Sequence, residues 1–308
     1  MSDAVPLGPG AEFDAIRLML DRWGPRATGI GDDAAVLRIA RGDALVASVD
    51  TTVESRHFVR GWLTPREIGR RAVVAALSDL AAMAAHPSGV LISLIVPEIW
   101  RAELLELADG FGDAVTEAGT CIVGGNLSAG SELSITTTVL GHAYAPLTRA
   151  GARAGDRVYV TGRLGGPADA LHRLRDGADA GPHRERFARP AARIAEAGWL
   201  AARGASAAID ISDGLSADAR HLAAASGVCI ALDARAIPCA DGVAPELALE
   251  SGEEYELLLT SPEPLDTADF EARFGIPLTA IGAVEAGDGV RVIGARVAAP
   301  SGHDHFSR

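Results

Sequence analysis

The sequence predicts a two-domain α/β protein, and three observations carry that expectation. The chain has 308 residues, enough for two domains of ordinary size. Hydrophobic residues make up 48% of it and aromatic residues only 5%, the texture of aliphatic cores packed between sheets and helices. Strand-like and helix-like segments alternate through the first half, and near residue 148 the glycine-rich "LTRAGARAGDRVYVTG" opens a new apolar run. The domains are therefore expected at 1–147 and 148–308.

Taken in order, "DALVASVDTTVE" reads as a strand, since its apolar residues recur within a β-branched run. "TPREIGRRAVVAALSDLAAMAA" has the length and alanine content of a helix, and "GVLISLIVP" is a short apolar run suited to a buried strand. A second cycle follows, with "RAELLELADGFGDAVTEAG" as an amphipathic helix, "TCIVGG" as a short strand, and "ELSITTTVLGHA" alternating so that Leu133, Ile135 and Val139 share one face. That face suits sheet-on-sheet contact. Beyond the boundary, helices are expected near 166–175 and 187–203, and "GADAGPHRER" at 177–186 as an exposed loop. "SAAIDISDGLSADARHLAAASG" reads as strand, turn and helix. "VCIAL", "YELLLT", "LTAIGAV" and "VRVIG" are strands.

Charge and composition narrow the function. With 41 acidic and 28 basic residues the net charge is −13, so a general attraction to nucleic acid or to an anionic membrane is not expected. Cys121, Cys229 and Cys239 are scattered without a CxxC pair, which predicts core thiols in a reducing compartment. "MSDAVPLGPGAEF" has no basic stretch leading into an apolar run, and the most apolar region is interrupted by Asp79, His86 and Pro87. Neither a signal peptide nor a membrane span is expected, and the predicted location is the cytoplasm. The chain contains no lysine. A GxxxxGK[ST] phosphate loop and a kinase-type β3 lysine are both excluded, so any ATP must be held another way.

Carboxylates then supply the clearest chemical signal. Asp32 and Asp33 in "TGIGDDAAVL", Asp50 in "SVDTTVE", Asp79 in "LSDLAAM", and Asp210 and Asp213 in "DISDGL" all sit at or beside apolar elements. Singly each has a plain structural use: Asp32 could close an Asx turn, and Asp213 or Ser212 could cap the helix that starts near Gly214. Brought together they would repel, and burying an unpaired carboxylate costs several kcal/mol. Hard divalent cations relieve that cost, and oxygen ligands without a His/Cys cluster select Mg²⁺ or Mn²⁺. The glycine-flanked turns "GIGDD", "VGGN" and "SDGL" would let backbone amides approach a phosphate.

The ordered motifs "GIGDDAAVL", "SVDTTVESRHF", "LSDLAAMAAHP", "VGGN", "LTRAGARAGDRVYVTG", "DISDGLSAD", "SGEEYELLL" and "GHDHF" resemble, over residues 12–306, the thiamine-monophosphate kinase family. The wider superfamily includes aminoimidazole ribonucleotide synthetase, selenophosphate synthetase and the hydrogenase-maturation dehydratase. The N-terminal third lacks the reactive cysteine expected of the second, and "HFSR" lacks the terminal cysteine expected of the third. The resemblance implies the aminoimidazole ribonucleotide synthetase fold, with an N-terminal domain that dimerises through its sheet, and ATP-dependent phosphorylation of thiamine monophosphate to thiamine diphosphate. It also implies Mg²⁺ held by Asp33, Ser48, Val49, Asp50, Asp79, Asn126, Asp210 and Asp213. ATP would be contacted by Gly125, Arg149 and Ser212, and the acceptor by His57, Glu253 and His303.

Such a reaction needs no covalent or general-base residue. The acceptor phosphate has a second pKa of about 6 and is already largely ionised at neutral pH. Holding two polyanions in line is work for metal and arginine. Several positions depart from the family pattern: Asn126 stands for an aspartate, Arg71 and Ala76 for a lysine and an asparagine, Glu254 for an aspartate, and His303 for an aromatic residue. They leave an alternative, a nucleotide-binding paralogue that is regulatory or acts on another small phosphorylated acceptor. Outside the motif context His57 could be a packed histidine beside Phe58 and Arg149 a surface charge, while Trp62, Trp100 and Trp199 read as packing.

Overall fold

The computed structural model of the chain describes residues 18–27 and 41–295. Asp32, Asp33, the rest of the "GIGDD" motif and His303 lie outside the described residues. The chain divides into two compact units, one of residues up to Leu80 together with Ala85–Ala145, the other of Ala81–Ala84 with the residues from Pro146 onward.

In the first unit β1 (Ala44–Val53), β2 (His86–Val96), β3 (Ile122–Ala129) and β4 (Ser134–Ala143) form one sheet of order β1-β4-β2-β3. β4 runs antiparallel to both β1 and β2, while β2 and β3 are parallel and need a crossover. Helix α2 (Leu104–Glu117) supplies it, burying Leu107, Phe111 and Val115 at helical spacing. Helix α1 (Pro65–Ala82) links β1 to β2. It starts on a reciprocal capping box, in which the Thr64 amide donates to the Glu67 carboxylate (2.9 Å) and the Glu67 amide to Thr64 Oγ1 (3.2 Å). Arg66 and Arg70 of α1 reach Asp113 and Glu117 of α2, tying the two helices together.

β3 runs further than expected, past "VGG" to Ala129. The alternation read in β4 is present, but Ile135 and Val139 are fully buried within this unit's own core, as is Leu133 just before the strand. The face expected to be free for sheet-on-sheet contact is therefore the inner one. The pleat turns Thr136, Thr138 and Leu140 outward beside Val49 and Leu91.

The second unit is a six-stranded sheet of order β10-β7-β9-β5-β8-β6, built from β5 (Arg157–Thr161), β6 (Ala207–Asp210), β7 (Cys229–Asp233), β8 (Leu257–Ser261), β9 (Leu278–Glu285) and β10 (Gly289–Ile293). Both faces are covered. Val158, Val160 and Leu258 pack with Leu215 and Leu222 of helix α6 (Leu215–Ser226), whereas Tyr159, Leu257 and Leu259 pack on the other side with Trp199 and Phe270. Trp199 belongs to helix α5 (Ile194–Ala201) and Phe270 to α8 (Thr267–Phe274). Their rings meet edge to face at 5.3 Å.

The single helix expected over 187–203 is two pieces, α4 (Arg184–Ala188) and α5, because Pro190 between them lacks an amide proton and cannot continue the ladder. Helix α3 (Gly166–Arg175) stands as expected. Two short helices, α7 (Pro245–Glu250) and α8, were not legible as periodic runs because each spans barely two turns. The loop at 177–186 is not fully exposed: Ala180 is buried, and Arg186 reaches two interior glutamates. Among the described residues no helix is long and apolar enough to cross a membrane, and Cys121, Cys229 and Cys239 are free.

Candidate active site

The first unit brings Ser48 and Asp79 together and places Asp50 on the same face of β1. Ser48 Oγ on β1 donates to Asp79 Oδ2 on α1 over 2.5 Å, so strand and helix bring side-chain oxygens to one place. Asp50 follows two residues along β1, on the same side of the pleat by alternation, and its carboxylate accepts the Thr51 amide at 2.7 Å. Val49 between them points the opposite way and is 62% exposed, leaving its backbone carbonyl as the only oxygen it could offer.

Register divides the "VGGN" residues between the two faces. Asp50 pairs with Thr137, Thr137 with Ile92, and Ile92 with Gly125, so Gly125 shares the row and the face of Asp50. Asn126 pairs with Ser93, which pairs with Thr136 and through it Thr51, placing Asn126 on the outer face. Gly125 has a structural reason of its own: a Cβ there would overlap the Ile92 carbonyl of the neighbouring strand. His57 lies in the turn after β1, where its Nδ1 accepts the Val53 amide at 3.0 Å. That bond sets the tautomer, leaving the proton on Nε2. Phe58 packs edge to face on buried Trp100 instead.

In the second unit β6 delivers Asp210 to the turn that opens α6, and the turn carries Ser212 and Asp213. Asp210 is 5% exposed. Neither Ser212 nor Asp213 caps the helix, which begins at Gly214 without a side-chain cap. The acceptor is Asp218, one turn inside, whose Oδ2 takes the amides of Ser212 (3.1 Å), Asp213 (3.2 Å) and Gly214 (3.1 Å). Sequence reasoning missed Asp218; its place three residues beyond the first helical position was the available signal. Burial, then the neighbouring charges of Asp210 and Asp213, push its carboxyl up to about 8 despite those bonds. Gly214 has φ 118° and lies against the Glu250 carbonyl, a conformation and a space that only glycine satisfies.

Glu253 sits beside this turn. Its amide donates to the Ser212 carbonyl at 2.8 Å, and the next odd residue, Tyr255, donates to the Ile211 carbonyl at 2.9 Å. Arg149 stands exposed on a single 3₁₀ turn, which is anchored by Ser226 Oγ donating to the Arg149 carbonyl at 2.6 Å. Trp100 and Trp199 are packing residues, as expected. Among the described residues, no group of three or more His, Cys, Asp or Glu side chains converges closely enough to hold a metal ion by itself.

Residues 31–143 match the family described as AIR synthase related protein, N-terminal domain, and residues 153–295 match its C-terminal domain. The chain is 36% identical over 304 residues to the thiamine-monophosphate kinase of Methanopyrus kandleri, covering 92% of this chain and 93% of that one. The crystal structure of thiamine-monophosphate kinase from Stenotrophomonas maltophilia K279a superposes with a TM-score of 0.82 at 33% identity, covering 94% of this chain and 97% of the other. AaThiL complexed with AMPPCP and TMP superposes with a TM-score of 0.78 at 32% identity, covering 96% and 97%. Both AIR synthase related domains and near end-to-end alignment at about a third identity with these kinases place the chain in one group: it belongs to the thiamine-monophosphate kinase family.

Proposed function

We propose that this protein transfers the γ-phosphoryl group of ATP directly to thiamine monophosphate, giving thiamine diphosphate and ADP. One observation carries the reading, the alignment of 92% of the chain at 36% identity with a protein named for that activity. The structure with AMPPCP and TMP, 32% identical to this chain, supports ATP as the co-substrate and a phosphate monoester as the acceptor.

Mg²⁺ belongs to the same proposal, and the residues present fit it. Ser48, Asp50 and Asp79 in one unit and Asp210 and Asp213 in the other offer only oxygen donors, with Asp33 as a further expected ligand. Asp218 is raised first by burial and then by the charges of Asp210 and Asp213, and a divalent cation bound there would offset the second of these. Mg²⁺ characteristically takes one or two carboxylates and fills its shell with water and substrate phosphate, so a cluster of three protein carboxylates is not required. When bound, it would neutralise charge on the phosphate oxygens during transfer. The protein's own residues then orient: Gly125, Arg149 and Ser212 toward ATP, and His57, Glu253 and His303 toward the acceptor. Val49 would contribute its carbonyl, and Asn126, on the outer face, is carried by the family resemblance alone. A cytoplasmic homodimer completes the reading.

The test is ADP release in a coupled assay with thiamine monophosphate, ATP and Mg²⁺. Turnover should be seen with the parent and be lost in Asp79→Ala, while the thermal unfolding midpoint of that variant stays near or above the parent's because one repelling carboxylate is gone. A folded parent that releases no ADP with this acceptor would overturn the reading.

A further inference from the structure

Three buried charges that the proposed reaction does not use meet in the second unit, Glu254, Glu256 and Arg193. "SGEEYE" joins α7 to β8, and within it Glu254 and Glu256 are 0% and 1% exposed. Two arginines reach them. Arg193 grips Glu256 with two prongs, Nε to Oε2 at 2.8 Å and Nη2 to Oε1 at 2.5 Å, and Thr161 Oγ1 adds a bond at 2.7 Å. Arg186 uses Nη2 for both glutamates, meeting Glu256 Oε1 at 3.0 Å, Glu254 Oε2 at 3.4 Å and the Glu254 backbone carbonyl at 3.1 Å. The other Glu254 oxygen accepts the Gly165 amide (2.5 Å) at the start of α3 and Ser251 Oγ (2.6 Å).

The residues that alternate with these glutamates are backbone outliers. Glu253 has φ 57° and Tyr255 φ 53°, both in the left-handed region that residues with a Cβ disfavour. Such a conformation persists only where the surroundings over-determine it. Here the surroundings are two. Hydrogen bonds from the Glu253 and Tyr255 amides fasten the loop to Ser212 and Ile211, and the Ile211 amide returns a bond to the Glu256 carbonyl at 2.8 Å. From the other side the arginines draw the Glu254 and Glu256 side chains inward, and the loop is held by both sets of bonds.

We propose that Arg186 is a positioning residue for acceptor binding: by clamping Glu254 and Glu256 it holds the strained Glu253–Tyr255 backbone against the Ser212 turn and fixes where Glu253 meets thiamine monophosphate. Arg193 reaches Glu256 and Glu196, whereas Arg186 reaches both Glu254 and Glu256 and the Glu254 backbone carbonyl. Removing it leaves one guanidinium for two buried carboxylates, and the loop relieves the imbalance by releasing Glu254. The acceptor part of this proposal rests on the proposed function; the clamp itself does not.

The experiment compares Arg186→Gln, Arg186→Lys and the double variant Arg186→Gln with Glu254→Gln against the parent. Arg186→Gln should raise KM for thiamine monophosphate about tenfold or more, with kcat and the KM for ATP changed less than about threefold. Arg186→Lys should recover part of the loss. The double variant, which removes the unpaired carboxylate with its partner, should recover most of it. Amide hydrogen exchange without ligands reads the clamp directly: the Glu253 and Tyr255 amides should lose protection in Arg186→Gln and regain it in the double variant. Unchanged acceptor KM, an equal loss in every kinetic parameter, or no recovery in the double variant would overturn the positioning role. Unchanged exchange would overturn the clamp even where the parent fails to use thiamine monophosphate, and lost protection in an inactive parent would leave the clamp standing while the proposed function falls. Should Arg186→Gln not fold, Arg186→Lys and the double variant decide by the same readouts.

Discussion

At the scale of single residues, Asn126 separates what resemblance suggests from what geometry supplies. The pleat places it with Ser93, Thr136 and Thr51 on the outer face, whereas Ser48 and Asp50 lie toward α1. An amide at this position carries one negative charge less than the carboxylate usual in the family, and cation affinity follows ligand charge. If Asn126 takes part in holding Mg²⁺, Asn126→Asp should lower the Mg²⁺ concentration for half-maximal activity by about threefold to tenfold. A titration of parent and variant at fixed ATP and acceptor checks this, and coincident curves would remove Asn126 from the ligand set. Gly125, one residue earlier, would fail differently. Gly125→Ala should cost stability before it costs ATP affinity, because its Cβ would strike the Ile92 carbonyl.

At the scale of elements, the turn into α6 depends on one carboxylate. Three consecutive amides lead into this helix, those of Ser212, Asp213 and Gly214, and Asp218 accepts all three. Asp218→Ala should therefore destabilise the protein by about 1–3 kcal/mol, the cost of leaving buried donors unsatisfied. Asp218→Asn keeps an acceptor oxygen and removes the repulsion from Asp210 and Asp213, so it should unfold near the parent's midpoint. Denaturant titration of the metal-free proteins gives the comparison. A loss in Asp218→Asn as large as in Asp218→Ala would mean that charge, not acceptance, holds the turn. The same element logic governs the second unit's buried glutamates. Burial pushes the Glu254 carboxyl up to about 7 against the pull of Arg186, while Arg193 first and Arg186 second outweigh burial and hold Glu256 low. A raised carboxyl stabilises the fold below its ordinary range and loses that contribution as pH rises toward 7. Glu254→Gln should accordingly flatten the fall in unfolding midpoint between about pH 5 and 8.

At the scale of the whole molecule, the outer face of the first unit's sheet is the surface that invites a partner. Leu45, Val49 and Ile95 are 58%, 62% and 42% exposed, and register places all three on that face. Among the described residues β1 pairs with β4 alone. Exposed apolar area on a sheet face is a common basis for self-association. Light scattering at micromolar concentration should give a mass near twice 31.7 kDa. Leu45→Arg should shift the protein toward monomer without lowering its helix content, and a monomeric parent would end the homodimer expectation.

The sequence by itself determined the class and the order of most elements. Period-two alternation in β4, the alanine-rich span of α1 and the glycine after "DISD" are local signals, written within a few residues of the structure they specify. The absence of lysine was equally legible, because it is composition. What tertiary structure alone decided was which face each residue takes and which distant residues meet. Ile135 and Val139 could have faced a partner or the core with the same alternation, and in the folded unit both are fully buried. Asp218 is one acidic residue among 41 until the turn folds back and aims three amides at it. Arg186 lay in a stretch that read as solvent-exposed, and only its meeting with glutamates 68 and 70 residues away gave it a role. Pairings across such separations leave no local pattern, since their cost and their gain arise only when both partners are desolvated together.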